Sequence, residues 1–297
     1  MGQTATVHSQ ISPHRADRID LPGRYGPVAA LRAPAAGADL GATALLVPGF
    51  TGSKEDFAPL VDPMSDAGLE VVAIDLPGQF ESAGPVAETD YRPAVLGEAL
   101  ADLVAKLAAE GRRVLLLGHS YGGLVARGAV FAGAPIAGLT LMSSGPGELP
   151  LGERRSALDQ GEVLMREQGI VAAQELAERR SMLNPQWAAL PLELRTLLRE
   201  RFLRSEPSCL LGMGDAIRAE PDLVAKLART LRSNQTPCLV VCGEFDDAWS
   251  PASQRDMAER LDADFAVLAG ALHSPNTEAP AALLATLLPT WRAWLTS

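Results

Sequence analysis

The chain predicts an α/β fold, with a mostly parallel central sheet flanked by helices and interrupted by one helical insertion. Short uninterrupted apolar runs carry the sheet: TALLVPG (43–49), LEVVAIDLPG (69–78), RRVLLLG (112–118), IAGLTLMSS (136–144) and PCLVVCG (237–243). They are too short for helices and rich in Val and Leu, the pattern of strands buried on both faces of a parallel sheet. Helical patterns alternate with them, which predicts right-handed β-α-β crossovers. The alternation stops between Gly145 and Asn234, where charged, helix-patterned sequence runs without a strand.

In chain order, RIDLPGRYGPVAALRA (18–33) reads as a hairpin adding antiparallel edge strands. KEDFAPLVDPMSDAG (54–68) reads as a helix stopped by glycine. In VLGEALADLVAKLAAEG (95–111), Leu96, Leu100, Leu103 and Leu107 share one helix face. A short helix covers 123–133, and PAALLATLLPTWRAWL (280–295) is an amphipathic terminal helix. The organisation expected is a flexible polar tail at 1–17, a core of 18–145 plus 235–297, and a helical cap at 146–234.

At 47% hydrophobic and 21% charged, the composition is that of a soluble globular protein. A net charge of −10 disfavours nucleic acid and anionic membranes as partners. No apolar segment approaches the about 18 residues of a membrane span, and the N-terminus lacks the apolar core of a secretory signal. Gly2 and Thr6 fit a myristoylation pattern, a six-residue match that one acyl chain would convert into only marginal membrane binding. Cys238 and Cys242 lie four apart in a strand, roughly 13 Å between Cα atoms, beyond the about 4.4–6.8 Å of a disulfide. With Cys209 they read as buried thiols of a reducing compartment, the cytoplasm.

In an open α/β sheet, ligands bind beyond the carboxyl ends of the strands. The loop after RRVLLL is GHSYGG (118–123), which contains G-x-S-x-G between a strand and a helix. Such a turn lifts Ser120 above the sheet, next to helix N–H groups that favour developing negative charge. A serine hydroxyl needs a base, itself oriented by a third group. Of four histidines, His8 and His14 sit in the tail and His119 is read as packing under the turn, away from Ser120. That leaves His273, in GALHSPNTEAP (270–280). Candidate acids are Glu244, Asp246 and Asp247, in EFDDAWSP (244–251).

These motifs resemble the α/β-hydrolase fold superfamily over about residues 18–145 and 235–297. The resemblance selects Asp246, three residues beyond the glycine that ends the strand. Pro251 lies one place later than the family's proline, which keeps Asp247 as the alternative. Ser120, Asp246, His273 follows the family's order of nucleophile, acid and base. The resemblance also implies an oxyanion hole made by the backbone N–H groups of Tyr121 and of Phe50, the latter in VPGFTGS (47–53) with Pro48 where histidine is usual. No HGGG is present, unlike the lipases and esterases that use it. In DLPGQFES (75–82), Phe80 replaces the second glycine of D-x-x-G-x-G-x-S and would either close over the pocket or pack on the cap.

The function these residues imply is a serine hydrolase, cleaving a small or medium, largely apolar ester, lactone or thioester through an acyl-enzyme. No metal or organic cofactor is required. C–C bond hydrolysis and cofactor-free perhydrolysis use the same residues, and a non-catalytic ligand-binding protein is the reading of another class. Met142, Met165, Met182, Trp187 and Met213 are candidate pocket walls.

Overall fold

Every residue of the strand Ala42–Val47 is fully buried, as its unbroken apolar character requires when both sheet faces are covered. The computed structural model describes residues 9–296. Gly2, Thr6 and His8 lie outside them.

The chain opens with the predicted hairpin, β1 (Asp17–Gly23) and β2 (Gly26–Ala33), then β3 (Ala42–Val47). A 3-10 turn at Lys54–Phe57 leads into helix α1 (Ala58–Asp66) and strand β4 (Glu70–Ile74). Helix α2 (Pro93–Ala109), β5 (Arg113–His119), α3 (Tyr121–Phe131) and β6 (Ile136–Met142) follow. The strandless stretch folds into α4 (Glu153–Ser181), α5 (Pro185–Ala188), α6 (Leu192–Arg204), α7 (Pro207–Ala219) and α8 (Val224–Asn234). Strand β7 (Cys238–Gly243), α9 (Pro251–Leu261), β8 (Asp264–Leu268), α10 (Pro275–Glu278) and α11 (Pro280–Thr296) complete it. Helix α4 breaks at Gly169 (φ +85°), which divides it into two helical segments.

The eight strands form one sheet in the order β1-β2-β4-β3-β5-β6-β7-β8, antiparallel at β1/β2 and β2/β4 and parallel elsewhere. Alternate residues of each strand enter opposite layers. Leu45, Val47, Val114 and Leu116 pack with α2, α3, α8 and α9. Ala44, Leu46, Leu115 and Leu117 pack with α1 and α11. Leu96, Leu100, Leu103 and Leu107 all face the first layer. From β3 the chain steps outward to β4 and then returns to β5 on the other side of β3. The crevice between the ends of β3 and β5 is therefore the sheet's topological switch point.

Two boundaries differ from the sequence reading. Residues 9–16 are not a free tail: the Arg15 N–H donates to Asp62 (2.8 Å), its guanidinium pairs with Asp66 (2.5 Å), and the Gln10 amide donates to Asp56 (3.1 Å). At the other end of the insertion, α8 buries Val224, Leu227, Ala228 and Leu231 in the main core. It is the crossover helix into β7 rather than part of a separate layer. Among the described residues no helix is long and apolar enough to cross a membrane. All three cysteines are buried free thiols.

Candidate active site

Ser120 follows β5 directly and precedes the first residue of α3, with φ +53° and ψ −119°. That region costs a non-glycine residue on the order of 1–3 kcal/mol, so neighbours must over-determine it. The Ser120 N–H donates to Met142 O (2.9 Å), and its carbonyl accepts from the Gly123 N–H (2.9 Å) and the Ser144 hydroxyl (2.8 Å). Glycine is required on both sides. A Cβ on Gly118 would lie 2.3 Å from Gly122 O, and one on Gly122 would lie 2.4 Å from Pro48 O.

The His273 ring bridges the other two predicted residues, with Nε2 3.0 Å from Ser120 Oγ and Nδ1 2.9 Å from Asp246 Oδ1. A carboxylate only accepts, so Nδ1 carries the proton and Nε2 is left to accept from the serine hydroxyl. Asp246 also accepts from the Ala248 N–H (3.0 Å) and the Gln254 amide (2.9 Å). Burial pushes the Asp246 carboxyl up, but these hydrogen bonds and His273 outweigh it and hold the group below its ordinary value. Asp247 is largely exposed and points outward to Arg154 of α4 (2.7 Å). Geometry thus separates the adjacent carboxylates in favour of Asp246.

The loop after β3 presses on the serine, since a Cβ on Gly49 would lie 2.9 Å from Ser120 Cβ. Phe50 and Thr51 (φ +58°) occupy the centre of a turn closed by the Gly52 N–H donating to Gly49 O (3.0 Å). Tyr121 is the first residue of α3, where a helix N–H has no intrahelical acceptor. Its buried hydroxyl donates to Tyr91 O (2.5 Å), pinning the start of the helix.

Ser120 and His273 open into a cavity of about 530 Å³ between the sheet's carboxyl edge and the inserted helices. Leu158, Met165, Phe202, Leu210 and Leu211 supply much of its apolar wall. Of its charged lining residues, Arg154 pairs with Asp247 (2.7 Å), Arg201 with Asp56 (2.6 Å) and Glu162 with Arg166 (2.8 Å), while Arg180 donates to the neutral amide of Gln160. Of the five candidate wall residues only Met165 lines the cavity. Met142 and Met213 are core, Met182 is 45% exposed, and Trp187 lies beside Arg195. Phe80 packs on the insertion: its N–H donates to Ser205 Oγ (3.0 Å) and its ring lies between Lys54 and Arg204. Its φ of +44° accounts for the glycine usual there.

The sequence pattern of the alpha/beta hydrolase family matches residues 44–286. The chain belongs to this family. Among solved structures, this hydrolase is similar to the enol-lactonase from Burkholderia xenovorans LB400, at 20% identity and a TM-score of 0.72, covering 94% of this chain and 100% of that one. It is also similar to a thermophilic esterase from Thermogutta terrifontis, at 23% identity and a TM-score of 0.68, covering 95% of this chain and 98% of that one. MenH from S. aureus has 20% identity and a TM-score of 0.70, covering 89% and 98%. At these identities the likeness is one of fold. No curated protein matches the chain in sequence.

Several residues of the hydrolase's site escaped the sequence reading. His119 does not simply pack beneath the turn: its Nε2 donates to His273 O (2.8 Å), with the two rings 5.1 Å apart. Burial, helped by the neighbouring His273, lowers its pKa to about 4, so it is a neutral donor. Glu278 accepts from the N–H groups on both sides of His273, those of Leu272 (2.7 Å) and Ser274 (3.2 Å). Gln79, in the DLPGQFES motif, donates to Gly49 O (2.8 Å) and braces the loop after β3. All three lie within the motifs GHSYGG, GALHSPNTEAP and DLPGQFES, but their partners are distant in sequence, so the motifs alone did not reveal these roles.

Proposed function

We propose that this chain is a serine hydrolase that cleaves a small or medium, largely apolar ester, lactone or thioester. The observation that carries the reading is the His273 ring within 3.0 Å of Ser120 Oγ and 2.9 Å of Asp246, at the floor of an apolar cavity. His273 Nε2 takes the Ser120 hydroxyl proton as Oγ attacks the carbonyl carbon. The Phe50 and Tyr121 N–H groups receive the oxyanion. Collapse of the adduct breaks the bond to the leaving group, which takes the proton from His273. A water, deprotonated by the same nitrogen, then releases the acid and restores Ser120. Asp246 stays ionised and stabilises the imidazolium formed in each half.

The inserted helices ahead of α8, residues 146–223, act as the cap that supplies selectivity. The buried free thiols fit a cytoplasmic enzyme, and the net charge of −10 fits one that works on a small molecule rather than on nucleic acid or a membrane.

A fluorophosphonate probe, followed by peptide mapping and a panel of p-nitrophenyl esters, tests the proposal. Wild type is expected to be labelled at Ser120 and to turn over these esters. Ser120→Ala should lose both while keeping its melting midpoint, because the side chain contributes chemistry rather than packing. Activity of the alanine variant above about a tenth of wild type would rule Ser120 out as the nucleophile.

A further inference from the structure

Asp56 is a node between parts of the chain that are distant in sequence. It lies in the 3-10 turn just after the loop that carries Phe50, and its carboxylate is almost fully buried. One carboxylate oxygen accepts from the Ser53 N–H (3.1 Å), and a Cβ on Gly52 would lie 2.6 Å from that oxygen, so the carboxylate packs against the turn itself. The other oxygen accepts from Gln10 (3.1 Å) and from Arg201 Nη1 of α6 (2.6 Å). The Asp56 carbonyl accepts from Asn276 (2.6 Å), three residues beyond His273. Phe50 also packs against the apolar cluster of the insertion formed by Met165, Ala173, Leu210 and Leu211.

We infer that Arg201 is a positioning residue for the reaction, holding the Phe50 N–H in place through Asp56. The inference rests on the proposed role of Phe50 as an oxyanion donor. Burial raises the Asp56 carboxyl, and Arg201 together with Gln10 and the Ser53 N–H more than offsets this, holding the group below its ordinary value. Without the guanidinium, a buried carboxylate loses its counter-charge and must shift toward water or take up a proton. Either response pulls on the Ser53 N–H and the Gly49–Gly52 turn. The inserted helix α6 thereby reaches the reacting atoms without touching them.

The test measures steady-state ester hydrolysis and the rate of Ser120 modification by a fluorophosphonate, on the full chain. Arg201→Gln should lower kcat and the modification rate about 10- to 100-fold, the scale of a misplaced reacting group, with KM changed less than about threefold. Arg201→Lys, which keeps the charge, should recover most of that loss. Adding Asp56→Asn to Arg201→Gln should cost no more than the worse single change, as expected of a pair acting through one contact. Arg199→Gln serves as the control, since it breaks an exposed α6 pair with Glu178 (2.8 Å) and should leave the rates within about twofold. Circular dichroism checks that each variant is folded. The inference falls if Arg201→Gln behaves like the control, if its loss lies in KM alone, or if lysine restores nothing. Failure of wild type to be labelled at Ser120 would instead sink the hydrolase reading.

Discussion

The end of β5 and the inserted helices face one another across the cavity and are built by opposite means. Around Ser120 the backbone is held by main-chain hydrogen bonds, glycine contacts that admit no Cβ, and strand ends that are fully buried. In the insertion, the 29 residues of α4 bury only Met165, Ala173 and Gln174, and α6 buries only Leu194. Val163, Val171, Leu183 and Leu192 are exposed there. Cross-helix ion pairs such as Arg199–Glu178 hold it, each worth only about 0.2–1 kcal/mol. Chemistry that needs fixed geometry sits on the rigid part, while the cavity wall that meets substrate sits on the part with least to lose by moving.

The largest expected effect tests whether the core side alone sets the chemistry. Asp246→Asn should cost on the order of 10⁴ in kcat, by removing the negative partner of the imidazolium and permitting the wrong His273 tautomer. Asp247→Asn, which breaks only an exposed contact to the insertion, should change kcat little, because that charge is screened. Parallel ester assays decide it. If the Asp247 variant is the inactive one, the assignment drawn from this geometry is wrong.

A second effect concerns stability in acid. His119 has a folded-state pKa of about 4 against 6.5 when free, so the unfolded chain binds its proton first. This contribution is fully present above pH 6.5 and is lost as pH falls toward 4. At about 1.36 kcal/mol per pKa unit, the loss is on the order of 3 kcal/mol. His119→Gln keeps an N–H for His273 O and removes the titration. Urea unfolding of both proteins at pH 7 and pH 4.5 should show a smaller acid loss in the variant; equal losses would discount His119 as an acid-sensitive point of the core.

The smallest effect belongs to the insertion. Gly161 of α4 lines the cavity, and a Cβ there meets nothing within 4 Å. Gly161→Phe should fill the space and cut the kcat/KM ratio of long-chain to short-chain esters roughly tenfold, like losing about two buried methylenes at ~0.8 kcal/mol each. An unchanged ratio would mean the substrate chain does not run under α4.

The apolar runs and their glycine stops were enough to place the strands, because burial on both sheet faces demands a local composition visible in a few residues. The same holds for the leucine face of α2 and for Ser120, whose turn has its own short signature. His273 followed from the scarcity of histidines. Other features were decided by tertiary structure alone. Which of Asp246 and Asp247 meets His273 depends on how the loop leaves β7, and one residue of phase reverses it. The packing of α8 with the core, the neutral His119 donor and the Arg201–Asp56 pair join residues from opposite ends of the chain. Such contacts leave no periodic trace, since each partner alone looks like any polar or amphipathic residue. They exist only where the strand order brings distant loops to the same edge of the sheet.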